Sequence, residues 1–286
     1  MSFVASRERL EFFRELSRNP SYSQEGISVE FTTTFEFIKS VVPPTFETAD
    51  EPTGLISIST WESNVCGSYE LSSVSVRCKV DGETGYYVLN LIVSEDVAIT
   101  WGRESWGEIK KQGKPRLFRS GTRRRGYCER RGVRLIEMEA DFDRDLASET
   151  SEWLSFEVKA FPGTLGSPSQ GLHCDPILIT LRVVDHNVKR ATGKGRLVLR
   201  GTRSDPLHTI PVKSVGDFQY SSGPSEWRLK NERFLCPADA YLPYFVGRHY
   251  DDVADPMLGQ ACTLDRTHPQ LASDPEVYKV QELTST

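Results

Sequence analysis

Apolar and polar positions alternate with period two over much of this chain and follow helical spacing in only a few places. Leu55 to Trp61 sets Ile56 and Ile58 against Ser57 and Ser59, the signature of a half-buried strand. Ile27 to Thr34, Ser68 to Val80 and Tyr86 to Val93 are rich in β-branched and aromatic residues, and Asp81-Gly82 between the last two is a hairpin turn. Tyr86 to Trp101 as a whole reads as a strand pair, with Val97 to Trp101 leading into a loop. Further strands are expected at Val133 to Ala140, Trp153 to Ala160, Ile177 to Val184 and Arg196 to Arg200, with a turn and short strand in Pro206 to Val215. Pro162 to Pro176 is a Gly/Pro/Ser-rich loop.

Two segments have helical spacing. In Ser6 to Leu16, Leu10, Phe13 and Leu16 share a face, and Asn19-Pro20 ends it. In Phe35 to Val42, Phe35, Ile38 and Val42 stack, and Pro43-Pro44 ends it. Strands separated by short turn signals predict a mainly β, antiparallel barrel or sandwich with a few short helices. The expected organisation is an N-terminal helical arm over 1–24, one domain over 25–250 and an extended surface tail over 251–286.

Composition narrows the class. At 286 residues, 38% hydrophobic and 26% charged, the chain suits a soluble globule with a full core. No apolar run reaches the ~18 to 20 residues of a membrane span. Met1 to Asn19 has no continuous apolar signal core, so a cytoplasmic location is expected. Six cysteines without a Cys-x-x-Cys pair fit reduced thiols. A net charge of -5 gives no global attraction to nucleic acid or anionic lipid. The arginines of 116–131 read as a solvated basic hairpin. Five dispersed histidines lack ligand spacing, so no metal site and no cofactor are expected. Asp251-Asp252 reads as a solvated turn.

The candidate chemistry lies in Gly102-Arg103-Glu104, five residues, Lys110-Lys111, then Gly113 and Pro115. A free lysine has a pKa of about 10.4, so only ~1 in 2500 is a neutral nucleophile at pH 7. Burial and a second ammonium both favour the neutral amine. This spaced motif resembles that of the acetoacetate decarboxylase family. The resemblance extends upstream through Val41-Val42-Pro43 and Asp50-Glu51-Pro52, and more faintly downstream to about 250.

The resemblance implies an acetoacetate decarboxylase-like barrel or cone assembled as a homo-oligomer, and a Schiff-base mechanism with Lys110 as nucleophile and Lys111 as the cation that activates it. It also implies a glutamate on the strand before the hairpin. Counting back without a gap puts that position on Leu71, and a one-residue shift puts it on Glu70, the favoured candidate beside Tyr69. The family's second acid falls near Ser57 and its substrate-binding arginine on Thr32; no arginine lies between Arg18 and Arg77.

Tyr69, Thr32 and Trp106 are the candidate substrate-binding residues, with Trp101 as a further wall and Ser57 and Ser59 as polar lining. The implied function is a decarboxylase or related lyase, in specialised metabolism by analogy, acting on a β-keto acid or other carbonyl compound larger than acetoacetate. The alternatives are acid–base isomerisation or cyclisation through Glu70 or Glu108, and non-catalytic small-molecule binding.

Overall fold

Three strands set the frame: β1 (Tyr22–Thr32), β3 (Thr53–Ser63) and β4 (Gly67–Val80). Each alternates as the sequence does. Ile27, Val29 and Phe31, Ile56 and Ile58, and Val74 enter one hydrophobic core. The opposite faces of β3 and β4 carry Leu55, Ser57, Ser59, Leu71, Ser73 and Ser75, all of which line an internal cavity. A computed structural model describes residues 3–164, 171–252 and 280–285.

Between β1 and β4 stand α2 (Phe35–Val41), N-capped by the Thr34 hydroxyl, and the short β2 (Glu47–Thr48). After β4 come β5 (Glu83–Val93), α3 (Asp96–Ser105) and the two-residue β6 (Lys111–Gln112). Then follow the hairpin β7 (Lys114–Ser120) and β8 (Arg123–Arg130) and the long strands β9 (Val133–Lys159), β10 (Ile177–Arg200) and β11 (Ser214–Phe234). The helix α4 (Ala238–His249) and β12 (Val280–Thr284) complete the described elements.

The order β10-β11-β1-β3-β4-β5-β9 closes on itself, because β9 pairs along much of β10. All of these pairings are antiparallel except β5 with β9, a short parallel contact at Tyr86–Ser155 and Tyr87–Phe156. β8 and β7 extend from the Val133 half of β9, and β12 joins the Arg196–Arg200 end of β10. This is the mainly β barrel the alternation predicts.

Several expectations are corrected. Val97 to Trp101 is helical, within α3. The separate strands at Val133 and Trp153 are the two ends of β9, and those at Ile177 and Arg196 the two ends of β10. The expected loop Pro162 to Pro176 falls partly outside the described residues, as does most of the tail. α1 (Arg7–Arg18) buries none of its residues but sets Phe13 edge-on to Trp101 at 5.7 Å between ring centroids. The basic hairpin faces solvent over Arg123 to Arg125, but Arg130 does not: it is buried against Asp205. Arg123 pairs with Glu139 and Asp141, and Arg125 with Glu137, across the β8–β9 ladder.

Candidate active site

The last turn of α3 positions the lysines. Glu108 and Gly107 donate their backbone N–H groups to the carbonyls of Gly102 and Arg103, and the chain turns out of the helix at Gly107, with φ of 77°. A Cβ at Gly107 would also run into the backbone of Lys159. Beyond it the chain is extended and alternates: Glu108 and Lys110 line the cavity, while Ile109 packs into the cluster of Val88, Leu91, Val93 and Ala98. The motif glycine has an equally direct reason. A Cβ on Gly102 would overlap the Glu108 carboxylate and the Lys110 amine, so only glycine lets both pass. Arg103 donates to the Lys110 carbonyl at 3.4 Å.

The Lys110 ammonium lies 2.7 Å from Glu108 Oε2, with both side chains about nine-tenths or more buried. It stands 5.7 Å from the centre of the Tyr69 ring. The cavity has a volume of about 380 Å³. Tyr69, Trp101, Trp106, Ser57 and Ser59 all line it.

Three other candidates stand elsewhere. Lys111 points away from the cavity because adjacent residues of an extended chain face opposite sides. Its ammonium lies 3.5 Å from both Asp205 and Asp251 and donates to the Ser204 carbonyl at 3.1 Å. A cation so neutralised is not the neighbour the two-lysine arrangement requires. Glu70 lies on the face of β4 opposite Leu71 and is ion-paired with Arg116. The ungapped count is therefore the one that reaches the cavity, and it places an apolar Leu71 there. Thr32 pairs with Thr53 and Ser214 in the ladder and does not line the cavity. Asp251 is not a solvated turn residue, since Arg130 and Arg131 also bind its carboxylate.

The buried carboxylate that joins Glu108 in the cavity is Glu157 on β9. Its Oε1 accepts from the Ser155 hydroxyl at 2.8 Å. Its signal was present in the alternation: with Leu154, Phe156 and Val158 facing the core, Trp153, Ser155 and Glu157 must share the other face. Burial, reinforced by the Glu108 charge, pushes the Glu157 carboxyl up to about 8, while Ser155, Arg248 and Lys110 restrain the rise. Burial likewise raises the Tyr69 and Tyr22 hydroxyls, with Glu108 adding to both. His249, on α4, is pushed down to about 3 by burial and the neighbouring Arg248, and is neutral at physiological pH.

Glu157 imposes a pH dependence on stability. The folded chain holds its proton up to about pH 8, whereas at its ordinary value of 4.5 an unfolded chain has lost it. The contribution is complete below that ordinary value and is lost as pH rises through about 8. Glu157→Gln is expected to flatten the fall in thermal unfolding midpoint between about pH 5 and 8. Melting wild type and variant across that range measures it, and parallel curves would contradict the assignment.

A family model described as acetoacetate decarboxylase (ADC) matches residues 5–223. Acetoacetate decarboxylase 3 of Mesorhizobium japonicum is 29% identical over 203 residues, covering 68% of this chain and 76% of that protein. The crystal structure of acetoacetate decarboxylase from Legionella pneumophila superposes with a TM-score of 0.65 at 18% identity, covering 77% of this chain and 88% of that one. The enduracididine biosynthesis enzyme MppR, solved with the condensation product of pyruvate and imidazole 4-carboxaldehyde, superposes at 0.60 with 17% identity, covering 76% and 88%. These structures share the fold, and the match over most of its length shows that the chain belongs to the acetoacetate decarboxylase family.

Proposed function

We propose that this protein is a lysine-imine enzyme of the lyase type, acting on a carbonyl compound through Lys110. The observation that carries the reading is the buried Lys110 amine, directed into an aromatic-walled cavity with Glu108 2.7 Å away. Glu108 accepts a proton from the ammonium, leaving a neutral amine. Lys110 Nζ attacks the carbonyl carbon to form a carbinolamine. Protonated Glu157 donates to its hydroxyl, which leaves as water, and a protonated imine remains. The imine nitrogen then takes the electron pair of a breaking bond at the adjacent carbon. If that bond leads to a carboxylate, carbon dioxide departs; if to a hydroxyl-bearing carbon, an aldehyde does, once a base takes its hydroxyl proton. The resulting enamine is protonated on carbon, and water returns Lys110.

Borohydride in the presence of a ketone such as butanone tests the reading. Reduction of the imine is expected to leave a stable mass increment on the peptide carrying Lys110. No increment across a panel of ketones and aldehydes would remove it. A second reading, acid–base isomerisation or cyclisation, draws on the two buried carboxylates of the cavity, Glu108 and Glu157. It requires turnover to survive in Lys110→Arg.

A further inference from the structure

The chain contains five tryptophans, and all five line the cavity that holds Lys110. They come from β3, α3 and its C-terminal cap, β9 and β11, so this is the convergence of separate elements rather than a local sequence bias. Trp227 is the hub. It stacks on Trp106 at 6.0 Å and 14°, and meets Trp61 and Trp153 edge-on at 5.9 and 5.4 Å. Tyr22 and Tyr86 extend the wall against Trp61 and Trp153. Flat indole faces of this kind offer large rigid contact area to a planar partner. A volume of about 380 Å³ is within the range for ligands of drug-like size and is generous for a four-carbon acid.

The charges of the wall are balanced internally. Lys110 is its only cation among the described residues, and it pairs with Glu108. Glu152, at the rim, pairs with Arg182 through two hydrogen bonds of 2.7 and 2.6 Å. Glu157, buried and hydrogen-bonded to Ser155, is protonated at neutral pH. Among the described residues no guanidinium fork lines the cavity to receive a carboxylate, and no ionised carboxylate of the wall lacks a cation. The remaining polar side chains are chiefly serine and tyrosine hydroxyls. Ser57 and Ser73 are 2.7 Å apart across the β3–β4 ladder, and Ser59 accepts from Trp61 Nε1 at 2.7 Å. Hydroxyls in such a row hydrogen-bond to carbonyl or hydroxyl oxygens without requiring charge.

We infer that the cavity binds a neutral, planar carbonyl compound, an aromatic or conjugated ketone or aldehyde, in preference to a small keto-acid anion. The inference deepens the lysine-imine reading, since Lys110 lies at the place where the carbonyl carbon would sit. The conjugated body lies against Trp106 and Trp227, and ring substituents bearing oxygen meet the serine row.

The test is a titration of tryptophan fluorescence with benzylideneacetone, with its ring-carboxylated analogue, with a ring-trimethylammonium analogue and with acetoacetate, in wild type and in Lys110→Met. Benzylideneacetone is expected to quench saturably in both proteins, and each charged probe to bind wild type at least ten-fold more weakly. Binding of any charged probe by wild type less than ten-fold weaker than that of benzylideneacetone, or no saturable quenching of wild type by benzylideneacetone, would overturn the inference. Borohydride trapping on the same samples separates the two claims. Selective quenching without a Lys110 adduct sinks the imine reading and leaves the ligand class standing. A Lys110 adduct with acetoacetate but no binding of the neutral conjugated ketone does the reverse.

Discussion

Lys110→Met is expected to lose the exchange of ketone α-hydrogens by on the order of 10³-fold or more, the usual consequence of removing a covalent nucleophile. In barrier height that is about 4 kcal/mol. Exchange is a suitable reaction because it needs no knowledge of the natural substrate. A protonated imine makes the neighbouring C–H acidic, the enamine forms by loss of that proton, and reprotonation in deuterated water introduces deuterium. Proton NMR of butanone in deuterated water reads the rate directly. Methionine is unbranched and of similar length, but it leaves Glu108 buried without a cation. Lys110→Arg is therefore the companion variant: it restores a positive charge opposite Glu108 and cannot form the imine. Both variants should be inactive if the nucleophile is Lys110. Exchange at the wild-type rate in Lys110→Arg would transfer the chemistry to Glu108 and Glu157. Lys111→Met bears on a different question, because its side chain lies behind the strand. Its exchange rate should fall only as far as the local fold is disturbed.

The lysine motif, both short helices and most strand positions were legible because each depends on residues close in sequence. What was not legible depended on orientation and on distant partners. Lys110 and Lys111 are adjacent, and adjacency in an extended segment separates side chains rather than bringing them together. Once the segment is seen to be extended, the division of labour between the two lysines follows. Glu70 and Leu71 differ by the same rule, since a single step along β4 exchanges the cavity for the Arg116 side. The long strands were missed for another reason. The middle of β9, Asp143 to Thr150, is exposed except at half-buried Leu146 and reads as polar loop although it continues the ladder with β10. α4 buries Tyr241 and Phe245 one turn apart but contains Pro243, a residue that usually ends a helix. Trp153 and Trp227 gave no sign of meeting Trp61 and Trp106, because only barrel closure brings β9 and β11 against β3 and the end of α3.

The largest expected loss of stability comes from Asp205→Ala. Asp205 is buried between Arg130, whose Nη1 donates at 2.7 Å, Asn90, whose Nδ2 donates at 2.9 Å, and Lys111 at 3.5 Å. Its partners come from β5, β6 and β8, so the carboxylate ties together three elements around the lysine segment. Removing it leaves Lys111 and Arg130 buried with only the Asp251 carboxylate between them. Breaking a buried ion pair from one side costs about 3–5 kcal/mol, chiefly because the remaining charge has neither partner nor water. Urea unfolding should show the unfolding free energy falling by that amount, through a lower midpoint with the slope unchanged. A shift below about 1 kcal/mol would mean that water or Asp251 compensates. Asp251→Asn should cost less, since that side chain retains some solvent contact. Acid titrates the same cluster. Although burial works the other way, Arg130, Lys111 and Arg131 hold the Asp251 carboxyl below its ordinary value of 3.8. Its contribution is therefore present above that value and lost as pH falls through the lower, folded one. The Lys111 cluster thus loses stability in acid and the Glu157 site loses it as pH rises toward 8, on opposite sides of the segment that carries Lys110.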